Sequence, residues 1–122
     1  MTRILIVEDD EGLLKMMQMV LQRAGYEVLA AADGMDGIRQ ATQLKPELIV
    51  LDLMMPWAAG DAVLGFIRAT KTLQKIRVVV VSAHPNAKQI AQQLGADCFL
   101  PKPVDMHTLA QEVKSVLENG AG

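Results

Sequence analysis

A chain of 122 residues, 51% of them hydrophobic, can build one compact core and is too short for two ordinary domains. Its 12 basic and 14 acidic residues leave a net charge of -2 with no block of like charge, so the electrostatic footprint of direct nucleic-acid binding is missing. The single cysteine, Cys98, excludes an internal disulfide; with neither a cleavable signal pattern nor an apolar stretch near membrane-spanning length, a soluble cytoplasmic protein is expected.

The run Ile4-Leu5-Ile6-Val7 predicts a first strand, followed by a helix from about Glu11 to Ala24 that Gly25 ends. A second strand is expected over Glu27 to Ala31, a second helix over Gly34 to Leu44 closed before Pro46, and a third strand over Glu47 to Leu51. The pattern then predicts a third helix over Gly60 to Ala69, a fourth strand over Ile76 to Ser82, and a fourth helix over Asn86 to Leu94 stopped by Gly95. Cys98 to Leu100 predicts a short fifth strand and Asp105 to Leu117 a final helix. These five βα repeats form a single domain expected over residues 1–119, with 120–122 as a tail or the start of a truncated linker.

Strands one, three and four are continuously apolar, the pattern of a parallel sheet with helices on both faces. Strand two is shorter and more polar, and Asp97 and Cys98 mark strand five, so these two suit the sheet edges. The expected fold is a doubly wound, flavodoxin-like α/β domain with strand order 2-1-3-4-5. The switch point then lies between strands one and three, where residues just past Val7 and Leu51 face one crevice. Glu8, Asp9 and Asp10 meet Asp52 there. By itself a strand-end aspartate is more often a cap than a reactive group; convergence with other charged residues reverses that balance.

Carboxylates gathered in one cleft repel each other, and a hard divalent cation with oxygen ligands keeps them ionised together. Mg²⁺ is the natural candidate, because it accepts a few carboxylates plus waters and completes its octahedron with phosphate oxygens; no EF-hand spacing is present. Ser82, ending strand four, and Lys102, between Pro101 and Pro103, are expected at the same edge. A hydroxyl donor and a fixed cation beside an acid and a metal suit the oxygens of a transferring phosphoryl group.

At these residues the chain resembles the receiver domains of two-component response regulators, over essentially its whole length. The resemblance is carried by Glu8 and Asp9 after Ile-Leu-Ile-Val, by Asp52-Leu53-Met54-Met55-Pro56 with Gly60, by Ser82-Ala83, and by Gly95-Ala96-Asp97 leading through Phe99 to Lys102-Pro103. It implies that Asp52 accepts a phosphoryl group from a phosphohistidine of a sensor histidine kinase or a histidine phosphotransfer protein. It implies direct metal ligation by Asp9 and Asp52, ligation by Glu8 mainly through water, and a further ligand in the main-chain carbonyl of Met54. Mg²⁺ is the implied cofactor, with Mn²⁺ as a substitute. Ser82 and Lys102 would take phosphoryl oxygens, Pro103 would follow a cis peptide bond, and Phe99 would move into space beside Ala83 to switch the surface of helix 4, strand 5 and helix 5. The family signals rather than turning over substrate, so only self-phosphotransfer and slow self-dephosphorylation are expected.

Other residues have a plain reading beside the functional one. Phe99 stands where many receivers have tyrosine; its plain reading is a static core phenylalanine on an edge strand, the less favoured of the two. Glu8-Asp9-Asp10 also suits a helix N-terminus. Ser82 could cap helix four and Lys102 could be an ordinary solvated lysine. On helix one, Leu13, Leu14, Met17, Val20, Leu21 and Ala24 form the apolar face, and Met16 and Met19 fall off it. Leu13 and Met16, near the rim, are candidates for docking the kinase's histidine-bearing helices, and partial core burial is the alternative. Trp57 is expected on the loop beside the metal, His84 on a solvent-facing loop, and Met54, which has no polar group to orient water, is expected to lengthen the life of a phosphoform. Cys98 and Glu112 replace the charged pair that winged-helix regulators use in a dimer, so a monomer or weak dimer is expected, with the output partner open. A Mg²⁺-dependent aspartate phosphatase would need an aspartate where Met54 stands, and a nucleotide or flavin carrier would need a glycine-rich loop where the acids stand. A degenerate receiver that binds partners without phosphorylation remains the alternative.

Overall fold

The computed structural model describes residues 1–54 and 60–119. Five strands alternate with five helices: β1 Arg3–Val7, α1 Glu11–Arg23, β2 Glu27–Ala31, α2 Gly34–Leu44, β3 Leu48–Leu51, α3 Gly60–Ala69, β4 Arg77–Ser82, α4 Ala87–Gln93, β5 Cys98–Pro101 and α5 Met106–Asn119. All neighbouring strands are parallel, in the order β2-β1-β3-β4-β5, the fold class expected from sequence.

Alternation along each strand divides the core in two. Leu5, Val7, Ile49, Leu51, Val78 and Val80 face α2, α3 and α4, whereas Ile4, Ile6, Leu48, Val50, Val79 and Val81 face α1 and α5. The central strands bury both faces, which is why their sequences are apolar without a period of two. Aspartates cap α1, α2 and α5: Asp10 accepts from Leu13 N at 3.1 Å, Asp33 from Asp36 N at 2.8 Å, and Asp105 from Thr108 N at 3.0 Å. Gly25 and Gly95, at φ 99° and 80°, end α1 and α4 in the left-handed region open to glycine.

Element ends depart from the sequence reading for local reasons. Ile76 donates to Leu73 O at 3.0 Å, so it closes a turn and β4 begins at Arg77. Pro101 pairs with Ser82 and so belongs to β5. Asp105 is the cap that precedes α5, which runs two residues beyond Leu117. Ala24 is exposed and closes α1 by donating to the Val20 carbonyl, with Gly25 N donating to Gln22 O, so Ala24 is not part of the apolar face. Residues 120–122 lie outside the described residues.

Candidate functional site

The register of the sheet assembles the site. Val7 pairs with Leu51, Leu51 with Val80, and Ser82 with Pro101, so β1 and β3 finish level with each other, and β4 and β5 finish level with each other two residues further along. The first residue past each strand stays tied to its neighbour. Glu8 N donates to Ala31 O at 3.0 Å, Asp52 N to Val7 O at 3.1 Å, and Lys102 N to Ser82 O at 3.1 Å. Three charged side chains are thereby fixed at one sheet edge by backbone pairing.

Asp52 is 3% exposed, and both its oxygens are engaged: Oδ1 accepts from Met54 N at 3.0 Å and Oδ2 from Lys102 Nζ at 3.1 Å. Glu8 is 1% exposed; its Oε2 accepts from Asp10 N at 3.1 Å. Its Oε1 lies 2.8 Å from Lys102 Nζ as an ion pair but has no well-directed hydrogen-bond partner among the described residues. Burial pushes the Glu8 carboxyl up to about 7, its own bonds to Lys102 and Asp10 only partly offsetting this, and the nearby Asp52 charge raises it further. For Lys102 burial favours the neutral amine, yet the contacts with Glu8 and Asp52 outweigh it and hold the ammonium above its ordinary value.

One oxygen from each of Glu8, Asp9 and Asp52 falls within 4.8 Å of the others. Oxygen ligands about 2.1 Å from Mg²⁺ lie within roughly twice that distance of each other, so the cluster needs only a small contraction to fit the ion. The buried, undirected Glu8 Oε1 is a second sign that a cation suits this place. Asp10 is placed differently: it is exposed and its carboxylate caps α1.

Ser82 is buried, and its Oγ accepts from His84 N at 3.2 Å rather than capping α4, whose start has no side-chain cap. Ala83 beside it is exposed. Phe99 is half-buried and packs against the core beneath α4. The Lys102-Pro103 bond is cis. Leu13 is half-buried against the α1 and α5 core, whereas Met16 and Met19 are 54% and 52% exposed. Met54 lies exposed beside Asp52. His84 corrects the solvent-facing reading: it is half-buried and its Nδ1 accepts from Asn86 N at 3.0 Å, holding the turn into α4. Met55, Pro56 and Trp57, with the loop placement expected of Trp57, lie outside the described residues.

Two features escaped the sequence reading. A Cβ on Gly60 would fall 2.1 Å from Asp52 O and 2.5 Å from Leu53 Cα, so glycine lets α3 start against the backbone of Asp52. In the sequence this glycine reads only as part of a motif. At the opposite end of the sheet, Arg68 donates to Gly95 O at 2.9 Å, Gln74 O at 3.1 Å, Ile76 O at 2.6 Å and Asp97 Oδ2 at 3.0 Å. No local signal distinguishes it from the other surface arginines. Cys98 and Glu112 face each other, Sγ 3.6 Å from Oε2, and burial followed by the Glu112 charge pushes the thiol up to about 11.

The sequence matches the response regulator receiver domain family over residues 4–114. It is 34% identical over 115 residues to the alkaline phosphatase synthesis transcriptional regulatory protein PhoP of Bacillus subtilis, covering 94% of this chain and 48% of that protein. It is 36% identical over 119 residues to the DNA-binding dual master transcriptional regulator RpaA of Synechocystis, covering 96% and 49%. The chain thus spans about half the length of these curated relatives. Its fold superposes on a putative response regulator from Chloroflexus aurantiacus with a TM-score of 0.91 at 28% identity, covering 96% and 98% of the two chains. The chemotaxis protein CheY4 of Vibrio cholerae gives 0.88 at 29%, covering 95% and 98%. The chain belongs to the receiver domains of response regulators.

Proposed function

We propose that this domain is a phosphorylation switch in which Asp52 takes a phosphoryl group from a phosphohistidine on a sensor histidine kinase or a histidine phosphotransfer protein. The observation that carries this reading is the buried Asp52 carboxylate with Lys102 Nζ at 3.1 Å and the Glu8 and Asp9 carboxylates beside it. A carboxylate is already an anionic nucleophile and needs no general base, so the site's work is positioning and charge neutralisation. Glu8, Asp9, Asp52 and the main-chain carbonyl of Met54 would hold Mg²⁺, with Mn²⁺ as a substitute. When bound, the ion offsets negative charge on the phosphoryl oxygens.

Lys102 shares its ammonium between Glu8 and Asp52 and can extend it to a phosphoryl oxygen as the Asp52 charge becomes an acyl phosphate. Ser82 Oγ already accepts from His84 N, which leaves its hydroxyl hydrogen free to donate to another phosphoryl oxygen. In this reading the inward pull on Ser82 vacates space beside Ala83 that Phe99 fills, altering the surface of α4, β5 and α5. With no tyrosine hydroxyl to satisfy in either state, aromatic burial alone sets the balance. Leu13 and Met16 are the docking contacts for the phosphodonor protein. The domain runs from 1 to 119 and acts as a monomer or weak dimer, without direct contact to nucleic acid.

The test is intact mass after incubation with acetyl phosphate and Mg²⁺. A gain of one phosphoryl group, lost in Asp52→Ala, is the expected result. No gain would replace this reading with that of a phosphorylation-independent binding module.

A further inference from the structure

Beside the acid and lysine cluster runs a groove of about 610 Å³ between the start of α1 and the turn that leads into α5. Leu13 and Met16 form its α1 wall, Ala83 one end, and Pro103 and Val104 the other wall, with Lys102 where it meets the site. Leu13 and Val104 are anchored against the α1 and α5 core, so that part of the lining is fixed. Met16 is 54% exposed and supplies an adaptable thioether. The other charged lining residue, Asp10, has its Oδ1 committed to Leu13 N. A volume of this order, with apolar walls and one cation at the end, is that of a small-ligand site.

Lys102 belongs to both groove and site, its Nζ being 3.1 Å from Asp52 Oδ2. A small molecule whose phosphoryl group lies at Lys102 and Asp52 can rest its organic remainder on Leu13, Met16 and Val104 rather than in water. We propose that this groove makes the domain selective among small-molecule phosphodonors, favouring acyl phosphates with an apolar or aromatic acyl group over acetyl phosphate. The inference rests on Asp52 being the phosphoacceptor. In the step itself an Asp52 oxygen forms a bond to phosphorus as the donor's bridging P–O bond breaks. The electron pair of that bond leaves on the donor's carboxylate, so neither a proton nor an oxidant is needed.

The experiment compares benzoyl phosphate with acetyl phosphate as donors to the intact chain in Mg²⁺, following the phosphoryl gain by mass. The wild type should be labelled about tenfold faster by benzoyl phosphate, equal to about 1.4 kcal/mol. Burying roughly 55 Å² of additional apolar surface provides that much. Intrinsic donor reactivity cancels when the benzoyl-to-acetyl rate ratio is compared between proteins, and the ratio should fall about threefold in Met16→Gln and in the nearly isosteric Val104→Thr. A ratio unmoved in both variants while acetyl phosphate still labels Asp52 would overturn the donor site alone, leaving the groove to a macromolecular partner. Labelling by neither donor would overturn the phosphoacceptor reading and this inference with it.

Discussion

Glu8 carries the site's largest electrostatic cost. Its carboxyl is pushed up to about 7, from the 4.5 of an ordinary glutamate, chiefly by burial. A carboxyl raised on folding stabilises the fold when protonated, so the contribution is complete below about pH 4.5 and disappears as the pH rises through about 7. At one pKa unit per ~1.36 kcal/mol the effect is on the order of 3 kcal/mol at most. Urea denaturation without divalent metal should show wild type losing stability relative to Glu8→Gln between pH 5 and pH 8. Parallel profiles would show that the ion pair with Lys102 already neutralises the cost. Met54 makes the second prediction at this scale. Its exposed thioether beside Asp52 offers no hydrogen bond to an attacking water. Met54→Asn should shorten the phosphoform's half-life severalfold in a mass time course, and an unchanged half-life would exclude a role for this side chain.

Among the elements, strands and helices were legible in sequence because apolar runs and acidic caps are local signals. The crevice was legible too, because strand order follows from which strands are continuously apolar, and strand order alone brings Glu8, Asp52 and Lys102 together. What local pattern cannot reveal is a side chain that spans elements. Arg68, on the last turn of α3, binds carbonyls of the turn before β4 and of Gly95, together with the Asp97 carboxylate, which also accepts from Val78 N at 2.8 Å. It thereby ties α3 to the starts of β4 and β5. Arg68→Met should cost roughly 2 kcal/mol, because carbonyls that had partners lose them, the side chain's partial exposure softening the loss. Arg68→Lys should rescue little, since an ammonium cannot reproduce the planar fork that reaches four acceptors. Thermal melts of the two variants near wild type would show that water replaces the arginine at no cost.

For the molecule as a whole, three carboxylates and one ammonium leave the site with two negative charges once the pH is above about 7 and Glu8 is ionised, as large as the formal net charge of -2 on the entire chain. The fold therefore concentrates its charge imbalance where backbone pairing holds the groups rigidly, and repulsion there opposes folding until a cation binds. Binding to the folded state alone adds stability as RT ln(1 + [L]/Kd), about 2.7 kcal/mol at a hundredfold excess over Kd. Mg²⁺ should accordingly raise the midpoint of thermal unfolding in a saturable way, beyond what equal ionic strength from NaCl achieves by screening. Asp9 separates the two effects because it is exposed and contributes no core packing. Asp9→Asn should melt close to wild type without metal and lose most of the Mg²⁺ increment. If the increment survives in Asp9→Asn, or if NaCl reproduces it in wild type, the carboxylate cluster is a patch of screened charge and not a metal site.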